Sequence, residues 1–264
     1  MCTIAIALDA LEGTPLAIAA NRDELYDRPA HAPVVLAPGR VGGRDDVLGG
    51  SWLAFTRDGR FAAVTNQREA AVGRAPRSRG ELVLGLLDAG ERRGADAMAA
   101  ARAYADAIDP THYASANLVF GDARDVDVVY LRRAGSRERF ALPRGVTVLA
   151  NDRLDAPGQL RRARVEARLS GSRTWPDFAA AAREVLADHR VPDDVAALPP
   201  LPAGAPVSPA LRAALEAPCI HTPRYGTRSS TIAALVPGAV TALAWADGPP
   251  CTTPYVDALP LLAR

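Results

Sequence analysis

A mixed fold of strands and helices, in one large domain or two small ones, is what this 264-residue sequence predicts. Three observations carry that expectation. Short apolar, β-branched runs recur in pairs across turn residues, as at 3–8 and 16–20 around Glu12-Gly13-Thr14-Pro15. Longer stretches have helical character: Leu82, Val83, Leu86 and Leu87 share one face, and 94–108 is rich in alanine. Apolar residues make up 48% of the chain, enough for a sizeable core.

Taken in order, the chain opens with Met1-Cys2-Thr3-Ile4, and 3–8 reads as a buried strand that holds Cys2 still. A small second residue permits removal of Met1. Cys2 would then carry a thiol nucleophile and an α-amine that titrates at about pH 8, the arrangement of an amine-activated nucleophile. The alternative is an ordinary early-strand cysteine. The second run ends in Asn21-Arg22-Asp23-Glu24, polar groups that a buried hairpin places beside Cys2. Asp23 can pair with the amine, and Arg22 can lower the thiol pKa. Adjacent side chains on an extended segment face opposite ways, so without a turn only one of these two faces Cys2; Asp23 is the preferred one.

Further on, 40–45 and Leu48-Gly49-Gly50 form a glycine-rich connection without a phosphate-binding motif, its glycines serving tight turns or close backbone approach. Residues 51–56 and 61–66 make a hairpin about Asp58-Gly59, with Trp52 in the first strand. Asn66 closes the second, either as a donor toward a developing oxyanion or as an Asx turn. A polar loop, 67–79, leads to the helix beginning at Arg79. Strands follow at 115–122, 126–131, 139–142 and 145–151, the last again ending in asparagine, Asn151. Helix 160–169 turns Leu160, Ala163 and Ala167 inward and leaves Arg161, Arg162, Arg164 and Arg168 as a solvated face. A second helix, 175–187, precedes a proline-dense loop, 192–209. A polar cluster, 219–228, then feeds strand 229–236, which pairs with 240–245. Cys219 and His221 in that cluster are two ligands without an evident partner, so no metal site is assigned.

Composition excludes several classes. Net charge is +1, so no global field steers the chain to nucleic acid or to an anionic membrane. All 31 basic residues are arginine, which rules out Schiff-base chemistry and a P-loop lysine. Three cysteines make no disulfide framework and fit a reducing compartment. No signal peptide and no run of membrane-spanning length is apparent. The expectation is a cytoplasmic protein with a small-molecule substrate or ligand, no nucleic-acid partner and no integral membrane segment.

Met1-Cys2-Thr3-Ile4, Asn21-Arg22-Asp23-Glu24, Arg28-Pro29, Gly49-Gly50-Ser51-Trp52-Leu53, Ala63-Val64-Thr65-Asn66, Arg79-Gly80-Glu81-Leu82-Val83, Ala150-Asn151 and Tyr225-Gly226-Thr227-Arg228 stand in an order that resembles the NRDE family. It is also called the transport and Golgi organisation protein 2 family. The resemblance spans nearly the whole chain. It implies one domain over 1–264 of class α+β: a four-layer αββα sandwich of two antiparallel sheets, similar to the N-terminal nucleophile hydrolases. It also implies Cys2, Asp23, Asn66, Asn151 and Arg228 as catalytic residues, and Asn21, Arg22 and Trp52 as substrate contacts, with no cofactor. The activity implied is that of a cysteine-nucleophile amidohydrolase or acyltransferase on non-peptide C–N bonds. The alternative it implies is a non-catalytic carrier of haem or of lipid or acyl-CoA. His31, His112, His189 and His221 form no recognisable haem-ligand pattern.

Overall fold

Strand alternation builds the molecule. In the computed structural model, which describes residues 2–68, 75–91, 96–192, 198 and 208–264, two antiparallel sheets form the centre. The first has the order β10 (Gly145–Leu149), β1 (Cys2–Leu11), β2 (Thr14–Leu25), β11 (Tyr225–Val236), β12 (Ala239–Ala246) and β13 (Val256–Asp257). The second runs in sequence order: β3 (Ala30–Ala37), β4 (Arg40–Asp45), β5 (Ser51–Thr56), β6 (Phe61–Asn66), β7 (Ala116–Gly121), β8 (Val126–Arg132) and β9 (Ser136–Ala141).

Because successive side chains point to opposite faces, each strand supplies two different cores. Ile4, Ile6 and Leu8 of β1 and Leu16 and Ile18 of β2 meet Leu53, Phe55, Phe61 and Val119 between the sheets. Burying each such side chain contributes about 1.5–3 kcal/mol. The alternate positions are small: Ala5, Ala7, Ala17 and Ala19 let α3 (Leu160–Leu169) and α4 (Trp175–Leu186) lie close, through Val165, Leu169 and Phe178. On the far side, Ala54, Ala62 and Leu118 pack against Leu82, Val83 and Leu86 of α1 (Arg79–Glu91) and Ala101 of α2 (Ala97–Ala107). The result is the expected α+β, four-layer αββα sandwich. No helix among the described residues is long and apolar enough to cross a membrane.

Two stretches differ from the sequence reading. Residues 40–45, expected as a connection, form β4, and 30–37 forms its partner β3. The misleading residue is Gly43: a Cβ there would run into the Trp52 ring, so glycine is the residue that lets this strand pass under the indole. The Asn21-Arg22-Asp23-Glu24 tetrad is extended, as its place at the end of the second run suggests. It stays in β2 because it is paired on both sides, Arg22 with Cys2 and Asp23 with Thr227. A short helix, α5 (Pro209–Ala214), was not anticipated. Met1, whose removal the sequence suggests, lies outside the described residues, as do 69–74 of the polar loop and most of 193–207.

Candidate active site

On β1 and β2 the even-numbered residues face the second sheet, and this places Cys2 and Arg22 side by side across the ladder, with Ser229 of β11 next in line. Cys2, Arg22, Trp52 and Asn66 line a cavity of about 220 Å³ that also takes in Arg28, Arg77 and Arg79. Trp52 fixes the arginine, whose guanidinium carbon sits 4.1 Å from the indole centroid. The start of α1 closes one wall. It comes this near because Gly50, at φ 84°, has no Cβ to collide with the Gly80 backbone. Glu24 and Asp45 moderate the positive charge: Arg22 is 3.8 Å from Glu24, and Arg28 holds Asp45 through two bonds of 3.2 and 2.6 Å.

The odd-numbered face of β2 is different. Asp23 is fully buried, its Oδ2 accepting from Arg161 Nη1 at 3.0 Å and its Oδ1 from the Thr227 hydroxyl at 2.7 Å. Arg161 continues to Asn151 Oδ1 at 2.6 Å, and Asn151 Nδ2 donates to the Asn66 carbonyl at 3.0 Å. A buried chain of charge and amide groups thus runs from β2 through α3 to the ends of β10 and β6. Thr65 and Asn117 lock the same corner by donating to the Ala150 carbonyl at 2.7 and 3.2 Å.

Electrostatics at the thiol run against the sequence expectation. Burial pushes the Cys2 thiol up from its ordinary value, and the Asp23 charge adds to this; the positive amino terminus, the Asp23 amide and Arg22 pull the other way without prevailing. Arg22 supports the thiolate but does not bring it below the usual range. Burial lowers the pKa of both Arg22 and Arg79, with the Cys2 charge foremost among the opposing influences. Burial also pushes the Asp23 carboxyl up, against Arg161, the amino terminus and Thr227.

Of the expected catalytic residues, Cys2, Asp23 and Asn66 line the cavity, with Arg22 and Trp52 of the expected substrate contacts. Asp23 adjoins Cys2 through its amide, but its carboxylate faces the helices. Three assignments need correction. Asn151 uses its amide nitrogen on Asn66 and its oxygen on Arg161, so it holds the end of β6 rather than facing a reacting acyl group. Arg228 occupies the register shift between Thr227 and Ser229, and its guanidinium donates to the Tyr26 carbonyl at 2.5 Å, away from the cavity lining. Asn21 points to the helical layer and donates to the carbonyls of Leu186 and Pro218, both at 2.9 Å, which makes it an anchor and not a substrate contact.

The residue most clearly missed is Arg161, read as solvated yet only 2% exposed. Its signal was available: Arg161, Val165 and Leu169 form the buried stripe of α3 at i, i+4 and i+8. Arg79, which the sequence marks as the start of a helix, also reaches the cavity.

The architecture and the position of Cys2 define an N-terminal nucleophile hydrolase-like fold. A C2A mutant of conjugated bile acid hydrolase from Clostridium perfringens superposes with a TM-score of 0.51 at 11% identity, over 100% of this chain and 94% of that one. An N-acylethanolamine-hydrolyzing acid amidase ortholog from Caenorhabditis elegans matches with a TM-score of 0.46 and 13% identity, over 88% and 92% of the two chains. Within that fold, the sequence profile of Transport and Golgi organisation 2 matches residues 1–238. A Transport and Golgi organization protein 2 homolog of Bos taurus is 31% identical over 241 residues, covering 82% of this chain and 80% of its own length. The chain belongs to the Transport and Golgi organisation 2 family.

Proposed function

We propose that this protein is a cysteine-nucleophile amidohydrolase or acyltransferase for a small acyl compound bearing an anionic group, acting on a non-peptide C–N bond. The observation that carries the reading is the Cys2 position: a thiol at the first strand's edge, opening on a cavity with Arg22 across the ladder and Asn66 in the same wall. With Met1 removed, the Cys2 amine takes the thiol proton, the sulfur attacks the acyl carbon, and the same proton goes to the leaving amine. Asn66 would donate to the oxyanion from the cavity wall. Arg22, Arg77 and Arg79 suit a carboxylate or phosphate on the substrate, since guanidinium groups pair with such anions through directed bonds.

The name of the Clostridium perfringens neighbour, a hydrolase, is consistent with this reading at the level of fold; a shared fold does not transfer a reaction. The test is intact-mass analysis after exposure to activated esters and amides. An acyl adduct on Cys2, absent in Cys2→Ala and slower in Cys2→Ser, supports the proposal. Protein lacking Met1 that forms no adduct with any acyl donor overturns it.

The raised thiol pKa favours a second reading, in which the cavity holds an acyl-CoA or lipid anion without covalent chemistry. Haem suits the cavity less well, because among the described residues that line it there is no histidine or methionine and Cys2 is the one sulfur. On the carrier reading, the ligand binds without an adduct and no burst of acylation occurs with either the native or the Cys2→Ala protein.

A further inference from the structure

Well away from Cys2, sulfur and imidazole groups from three separate segments meet. Cys219 and His221 precede β11, Cys251 lies in the loop after β12, and His189 follows α4. The Cys219 and Cys251 sulfurs are 3.7 Å apart, and His221 Nε2 lies 3.5 Å from the first and 3.1 Å from the second. Those separations match the edges of a metal tetrahedron. Bonds of about 2.3 Å to sulfur and about 2.05 Å to nitrogen give edges of about 3.8 Å between sulfurs and about 3.5 Å between sulfur and nitrogen. A fourth ligand lies on one side of these three: ligand atoms of His189, His221 and Cys251 all fall within 4.8 Å of one another, Cys219 lies outside that group, and a side-chain rotation brings His189 in to complete the four. Along the sequence Cys219 and His221 are two ligands without an evident partner; folding supplies the partners.

We propose that Cys219, Cys251, His221 and His189 form a tetrahedral site for a thiophilic divalent cation, zinc by its donor set. Two thiolates and two neutral imidazoles select zinc-like ions over magnesium or calcium, which take oxygen ligands. The scaffold holds Cys219, His221 and Cys251 together before any ion arrives. The Cys219 amide donates to the Asp188 carbonyl at 2.9 Å, tying the His189 loop to the Cys219 segment, and His221 is held by an isolated bridge to Gly226. Cys219 is fully buried while both histidines face a depression of about 340 Å³, so the site has a rigid floor and an open approach.

The site is structural by position. The next amide along, that of Ile220, donates to Thr227 Oγ1 at 2.9 Å, and the Thr227 hydroxyl donates to buried Asp23. Metal at Cys219 therefore steadies the segment that braces the Asp23–Arg161 pair, without touching the Cys2 cavity.

Cobalt(II) titration of the reduced, chelator-treated full chain tests the proposal. The expected result is one equivalent bound, with the d–d bands of a tetrahedral site and thiolate charge-transfer absorption, all displaced by zinc. Cys251→Ser and His221→Ala should each weaken binding by at least about 100-fold, beyond the loss typical of outer-shell partners. His221 is exposed, so its removal leaves the core intact and keeps the test decisive if Cys251→Ser folds poorly. His189→Ala should keep the charge-transfer bands and alter the d–d envelope, while Cys2→Ala should change neither. Absence of saturable cobalt binding in reduced protein overturns the proposal. So do tetrahedral bands that persist in both Cys251→Ser and His221→Ala. A Cys219–Cys251 disulfide in the purified chain, with no cobalt spectrum after reduction, overturns it in favour of a redox pair.

Discussion

The two faces of β2 carry polar residues of the same tetrad and put them to opposite uses. Arg22 looks into a cavity with Cys2, weakly paired at 3.8 Å and stacked on Trp52. Asp23, one residue on, is sealed among Arg161 and Thr227, and Asn21, one residue back, is fastened to two carbonyls. One face is cationic and accessible; the other is neutralised and closed. Polarity at a strand end therefore does not by itself mark a site. The parity of the residue decides whether it meets a cavity or a helical layer.

The contrast predicts where stability resides. Arg161→Ala should have the largest effect, because it removes the guanidinium partner of a fully buried carboxylate: about 3–5 kcal/mol lost in chemical denaturation. The double variant Asp23→Leu/Arg161→Met should recover part of that loss. Next comes Asn21→Ala, at about 2 kcal/mol, since the Leu186 and Pro218 carbonyls each lose a donor. Arg22→Met, which keeps the stem against Trp52, should cost about 1 kcal/mol or less because its ion pair is long. Equal losses for Arg161→Ala and Arg22→Met would erase the distinction between the faces.

That distinction was half legible in the sequence. Alternation of Ile4, Ile6 and Leu8 with Ala5 and Ala7 encodes a strand buried on both sides, and the opposite facing of Arg22 and Asp23 follows from extended geometry alone. What could not be read was the partner. Asp23 finds Arg161 across a sequence separation of 138 residues, and an arginine among Arg162, Arg164 and Arg168 reads as solvated unless the Val165–Leu169 stripe is extended back to it. Gly43 misled for a similar reason: its cause is the Trp52 ring on a neighbouring strand, and a glycine in a strand reads locally as a break. Asn66 and Asn151 each ended an apolar strand as expected, yet only their contact tells which faces the cavity and which holds it in place.

The smallest predicted effect separates the two faces by chemistry. Cys2 has its thiol pKa raised, burial being the leading cause, so the thiolate is scarce near neutrality and alkylation should be slow there. The iodoacetamide rate at Cys2 should climb with pH through a midpoint above about 8.5, the ordinary thiol value, read by peptide mass spectrometry. Arg22 lowers the thiol pKa but stands last among the influences, so Arg22→Met should move the midpoint up only slightly. Arg161 touches the thiol only through Asp23, and its loss lets the carboxyl take up a proton more readily, since Arg161 is the first of the influences holding that pKa down. A less charged Asp23 repels the thiolate less, so in Arg161→Ala the Cys2 midpoint should shift down, opposite in sign to Arg22→Met. Two shifts of the same sign would mean that the faces of β2 are not electrostatically distinct at Cys2.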